Sequence, residues 1–274
     1  MPTINDDYWT NQDSLFFQSI SGEENLEEID PASGLDSHLA DTRRILPLIF
    51  MLDISGSMRG QRIGMVNYAL ENLFKQISRN DDPHAIIKVG IMEFEENVHW
   101  ITPQPVLLEN YIFTQLQATQ WVTNYAPAFE ALNQKLRRSA FMDPKYGEYF
   151  APVILFVTDG EPTDVAEYPQ ALRKLQQNGW FQQSARYAIA VGEESRSPEV
   201  IGVLSQFTGD ERNVRWVDEG EALCSLIQFI SISASSVQTS MVSKGNSDND
   251  PSKINSSIFD DRDQNLFSSL TDAK

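Results

Sequence analysis

Residues 45–52, ILPLIFML, carry an apolar side chain at every position and stop abruptly at Asp53. A half-buried strand needs apolar residues only at alternate positions, and an amphipathic helix only along one stripe. An unbroken run of this kind therefore fits a strand covered on both faces. Short runs rich in Val, Ile, Leu and Phe recur at 86–94, 153–157, 187–191 and 214–217. Between the first two, Ile63, Val66, Leu70, Leu73, Phe74 and Ile77 fall at helical spacing and form one apolar stripe. Further helices are expected at 126–138, at 165–178 with Gly179 as the stop, at 197–207 and at 219–232. The last carries Leu223, Leu226, Ile227 and Ile230 on one face. Alternation of strand and helix predicts an α/β fold: a doubly wound, mostly parallel sheet with helices on both faces, in a single domain over residues 43–237.

The flanks differ in composition. Residues 1–42 contain no Lys or Arg but many acids, and are expected to form a disordered acidic arm. Residues 238–274, rich in Ser, Asn and Asp, are expected to be a flexible polar tail. The sequence opens with neither a basic n-region nor an apolar h-region, and no stretch approaches the roughly 18 apolar residues of a membrane span, so a cytoplasmic location is expected. A formal net charge of -18 lacks the basic footprint that phosphate contact requires, which argues against nucleic acid as a partner. One cysteine, Cys224, and three scattered histidines exclude an internal disulfide and a Cys/His zinc cluster. Any metal here must be held by oxygen.

In a doubly wound sheet, ligands bind outside the carboxyl ends of the strands. Two of the buried runs end there on acids: "LDISGSM" delivers Asp53, Ser55 and Ser57, and "VTDGEPTD" delivers Asp159. Alternate residues of an extended segment share a face, so Asp53, Ser55 and Ser57 can converge, with Gly56 allowing the bend. Thr123, in "TNYAPAF", precedes a predicted helix and falls on a loop at the same edge. Taken singly, Ser57 and Thr123 are also explained as helix caps, and Asp159 with Gly160 as a plain turn. Together they form a set of two carboxylates and three hydroxyls, which suits a hard cation such as Mg²⁺ or Mn²⁺.

These three segments resemble the metal-ion-dependent adhesion site (MIDAS) of von Willebrand factor type A (vWA) domains, which share a Rossmann-like fold. "RRILPLIFMLDISGSM", "PVILFVTDGEPTD" and "FISISASS" resemble, more narrowly, the TerY-like proteins of bacterial tellurite-resistance systems. The resemblance implies direct ligation of the metal by the hydroxyls of Ser55, Ser57 and Thr123, and mostly water-mediated contact by Asp53 and Asp159. It also implies a protein kinase and a PP2C-type phosphatase as partners in a stress or tellurite response.

A metal held directly by neutral hydroxyls keeps most of its charge and seeks an anionic ligand, such as a partner's Asp or Glu carboxylate. The expectation is a metal-dependent protein–protein interaction module, not an enzyme. Two alternatives stand beside it. One is a Mg²⁺-dependent phosphohydrolase; against it, Ile54 and Ser55 stand where a D-x-D pair would, and neither a P-loop nor a G-x-S-x-G elbow occurs. The other is a scaffold with a vestigial metal site.

Overall fold

The computed structural model describes residues 43–77, 85–228 and 231. The acidic arm, the polar tail and Ile230 lie outside the described residues.

The apolar run and its flanking residues form β1 (Arg44–Asp53), followed by α1 (Gln61–Ile77), β2 (Ala85–Phe94), β3 (Val98–Trp100) and β4 (Val106–Leu107). Then come α2 (Tyr125–Lys135), β5 (Val153–Thr158), α3 (Tyr168–Gln176), α4 (Gly179–Gln183), β6 (Ala185–Val191), α5 (Pro198–Thr208) and β7 (Val214–Val217). Residues 220–228 form a last helix, α6. The sheet runs β3-β2-β1-β5-β6-β7, with β4 also paired to β2. The four pairings β2–β1, β1–β5, β5–β6 and β6–β7 are parallel, and β3 and β4 pair antiparallel to β2. The fold is the doubly wound α/β arrangement that the sequence predicts.

Side-chain alternation along β1 divides the core in two. Leu46, Leu48, Phe50 and Leu52 pack with Val66, Leu70 and Leu73 of α1 and with Leu223, Leu226 and Ile227 of α6. Ile49 and Met51 face the other way, onto Phe129 of α2, Leu172 of α3 and Leu204 and Phe207 of α5. Both faces of β1 are covered, which is why its sequence shows no polar alternation. Pro47 lies ahead of the β5 pairing, which begins at Leu48↔Val153.

Several boundaries differ from expectation. α3 starts at Tyr168 instead of residue 165, with Pro169 in its first turn, where a missing N–H costs no helical bond. Gly179 does not stop a helix; it begins α4, because the Asn178 side chain accepts from the N–H groups of Trp180 (2.9 Å) and Phe181 (3.3 Å). β3 and β4 are short edge strands with no apolar run to announce them. Among the described residues, no helix is long and apolar enough to cross a membrane.

Candidate metal centre

β1 is the central strand from which the chain leaves in one direction to β2 and later returns on the other side as β5. That is the switch point of a doubly wound sheet, where a crevice opens beyond the strand ends. Asp53 is the last residue of β1, and Asp159 follows the last residue of β5.

Asp53 is fully buried. Its Oδ1 accepts from the Ser55 N–H at 2.8 Å, and its Oδ2 accepts from the Thr158 hydroxyl at 2.6 Å. The Tyr125 hydroxyl lies 3.0 Å from Thr158 Oγ1 and donates to the Gly160 carbonyl at 2.7 Å. Burial pushes the Asp53 carboxyl up to about 6, because desolvation outweighs the hydrogen bonds from Thr158 and Ser55 that favour its anion. Burial likewise pushes the Tyr125 phenol well above its ordinary value, so it remains a neutral donor.

The chain of contacts continues outward. Ser55 Oγ and Ser57 Oγ are 3.0 Å apart, and the Ser57 hydroxyl donates to Asp159 Oδ1 at 2.8 Å. Ser55 and Asp159 are buried and Ser57 is exposed, so the cluster opens to solvent at Ser57. Thr123 reaches the same edge by a different route. Backbone bonds from Thr119 N–H to the Ile54 carbonyl (2.7 Å) and from Gly56 N–H to the Trp121 carbonyl (2.9 Å) tie its loop to the turn after β1. The Thr123 carbonyl accepts from the N–H of Thr163 at 2.7 Å and from its hydroxyl at 2.9 Å. The structure therefore links Asp53, Ser55, Ser57 and Asp159 by hydrogen bonds and anchors Thr123 beside them through its backbone. The Thr123 hydroxyl makes no hydrogen bond to the other four.

Sequence comparison adds a kinship to this geometry. Residues 48–161 match the family model of the von Willebrand factor type A domain. The match runs from inside β1 to the turn after β5 and so takes in all five residues of the cluster. It supports a vWA domain in this chain. No curated protein matches the sequence. The pilus adhesin SpaC from Lactobacillus rhamnosus GG, in its open conformation, is 12% identical with a TM-score of 0.52, covering 67% of this chain and 29% of its own. A von Willebrand factor type A protein from Catenulispora acidiphila is 13% identical with a TM-score of 0.49, covering 68% and 41%. Proximal thread matrix protein 1 from the mussel byssus, solved with zinc in its MIDAS motif, is 15% identical with a TM-score of 0.49, covering 69% and 48%. This chain spans less than half the length of each of these structures, and the likeness to SpaC is one of fold.

The cluster fits a hard cation on its own chemistry. Among the described residues, no group of three or more His, Cys, Asp or Glu side chains is placed to hold a metal, so a centre here depends on hydroxyl oxygens as well as carboxylates. Asp53 is a wholly buried carboxylate whose hydrogen-bond donors are neutral, and no Lys or Arg pairs with it among the described residues. A buried carboxylate without a countercharge is costly, and a cation at the cluster would supply one.

Four residues that carry the site escape sequence reasoning. Thr158 and Tyr125 orient Asp53, and Asp164 accepts from the N–H groups of Tyr125 (2.9 Å) and Ala126 (2.6 Å), fixing the start of α2 behind the Thr123 loop. The fourth, Arg62, donates from Nη1 to Asp159 Oδ2 at 2.6 Å and to the Ser57 carbonyl at 3.2 Å. Thr158 and Asp164 lie in the quoted "VTDGEPTD" and Tyr125 in "TNYAPAF", yet Thr158 reads there as the end of a buried strand and Tyr125 as the start of a helix; Arg62 sits in a helical pattern that gives no signal of its own.

Proposed function

We propose that this chain is a metal-dependent protein–protein interaction module. Asp53, Ser55, Ser57, Thr123 and Asp159 would hold a Mg²⁺- or Mn²⁺-type ion, and a partner would offer an Asp or Glu carboxylate to it. The observation that carries this reading is the hydrogen-bonded run Asp53–Ser55–Ser57–Asp159 at the switch point, with a buried carboxylate at one end and a solvent-exposed hydroxyl in its path. When bound, the ion would supply a positive charge that an external anion can complete. The protein's part is to hold the oxygens in place: Thr158 and the Ser55 N–H orient Asp53, and the Asp159 carboxylate orients the Ser57 hydroxyl.

The reading is of a binding module and not an enzyme. Two residues after Asp53 stands Ser55, a hydroxyl, so the turn offers no second carboxylate where a phosphohydrolase with a D-x-D pair needs its acid. The narrower part of the proposal is a TerY-like protein acting in the cytoplasm with a kinase and a PP2C-type phosphatase. It rests on the resemblance of the motifs around Asp53 and Asp159, and the acidic balance of the chain supports protein over nucleic acid as the partner.

Titration with Mn²⁺, followed by electron paramagnetic resonance of the free ion, tests the reading. Binding by the wild type that is lost in Asp53→Ala and Asp159→Ala, with circular dichroism unchanged, is the expected result. Equal binding by both variants would refute it.

A further inference from the structure

The Arg62 guanidinium rests in a seat built from three strand ends. From β1 comes the Ser57 carbonyl, and from β5 the Asp159 carboxylate. From β6 come Gly192 and Glu194, whose carboxylate accepts from Arg62 Nη2. Gly192 has φ +90°, and a Cβ placed on it would lie 2.6 Å from Arg62 Nε and 3.3 Å from Cζ. The guanidinium thus lies against bare backbone in a space that a side chain at residue 192 would take. The Asp159 side chain is 0% exposed and that of Arg62 21%, so this is no freely solvated surface pair.

We infer that Arg62 is a charge-setting residue of the centre: its guanidinium, held on Asp159, competes electrostatically with a divalent cation. The inference rests on the metal reading above. Of the two carboxylates of the cluster, Asp159 meets the guanidinium and Asp53 does not, so the two acids and Arg62 together leave the cluster a single negative charge with which to attract the ion. A loaded centre then keeps a net positive charge, the state that an acidic partner completes. Glu194 bonds the same guanidinium from the solvent side and offsets part of its charge, an effect that water attenuates because its side chain is 82% exposed.

The argument predicts that charge, more than shape, governs the affinity. Full-length protein is titrated with Mn²⁺ at low ionic strength as the wild type, Arg62→Gln, Arg62→Lys and Glu194→Gln. Removing the charge in Arg62→Gln should tighten Mn²⁺ binding by about tenfold or more. Arg62→Lys, which keeps the charge, should stay within about threefold of the wild type. Arg62→Gln that binds no tighter than the wild type, or Arg62→Lys that tightens as much as Arg62→Gln, overturns the inference. Should Arg62→Gln fail to fold, Glu194→Gln decides: it leaves the guanidinium to Asp159 alone and should weaken Mn²⁺ binding, and unchanged or tighter binding overturns the inference. Asp53→Ala in the same titration separates the two readings. If it binds Mn²⁺ as the wild type does, the metal centre itself is misassigned; if it abolishes binding while Arg62→Gln changes nothing, only the role of Arg62 fails.

Discussion

The Thr158 hydroxyl donates to the Asp53 carboxylate at 2.6 Å, joining the last residue of β5 to the last residue of β1. The two strands pair in register up to Leu52↔Val157, so the contact is the next rung of the ladder, made by side chains. It holds Oδ2 of a carboxylate that has no exposure to water.

Asp53 makes the metal-free protein sensitive to pH. Its carboxyl is raised from an ordinary value of 3.8 to about 6 by burial. Below the lower value both folded and unfolded chains are protonated and Asp53 contributes nothing; between the two the folded state holds the extra proton, so stability falls as pH rises. Above 6 the full cost remains, on the order of 3 kcal/mol. Chemical denaturation in chelator should show Asp53→Asn gaining about 2 kcal/mol relative to the wild type on going from pH 4 to pH 7.5. An equal offset at both values would contradict the assignment.

Thr158→Val keeps the shape of the side chain and removes its hydroxyl. Asp53 then loses one of the two donors to its anion. At pH 7.5 without metal the variant should be less stable by about 1–2 kcal/mol, and the loss should shrink at pH 4, where Asp53 is protonated. The Tyr125 hydroxyl keeps the Gly160 carbonyl as its acceptor. Urea midpoints at the two pH values provide the check.

Asp164→Ala should cost about 1–2 kcal/mol at neutral pH, because the N–H groups of Tyr125 and Ala126 at the start of α2 lose their acceptor. Hydrogen exchange should rise at these two amides and along the Thr123 loop, which a second residue of the same turn, Thr163, continues to hold. Unchanged exchange at Tyr125 and Ala126 would count against the cap.

Arg186 clamps the far side of the sheet. Its guanidinium lies 4.5 Å from the Phe181 ring centroid and donates to the carbonyls of Phe181 (2.6 Å) and Thr208 (3.1 Å). Burial pushes it down to about 10. Arg186→Ala should destabilise the fold by about 2–3 kcal/mol, through lost packing and two carbonyls left without this donor, and leave Mn²⁺ binding unchanged. Thermal unfolding and Mn²⁺ titration of one sample test both parts.

What the sequence by itself determined is local or periodic. The unbroken apolar run before Asp53 specifies a doubly covered strand, and Val66, Leu70 and Leu73 fall on the buried stripe of α1 as their spacing requires. Asp53 and Asp159 could be assigned to one edge because both end parallel strands, and parallel pairing brings carboxyl ends together. Tertiary structure alone decided the rest. β3 is three residues long and exists because β2 offers it a free edge. Thr158 closes a buried strand and reads as one more residue of it; its role as donor to Asp53 arises only when β5 lies beside β1. Arg62 reads as a polar residue at the start of α1, and its bond to Asp159 spans 97 positions of sequence. A residue's periodicity records which side of its own element is buried, whereas an ion pair or hydrogen bond between elements depends on which strands become neighbours, and that is set by the packing of the whole sheet.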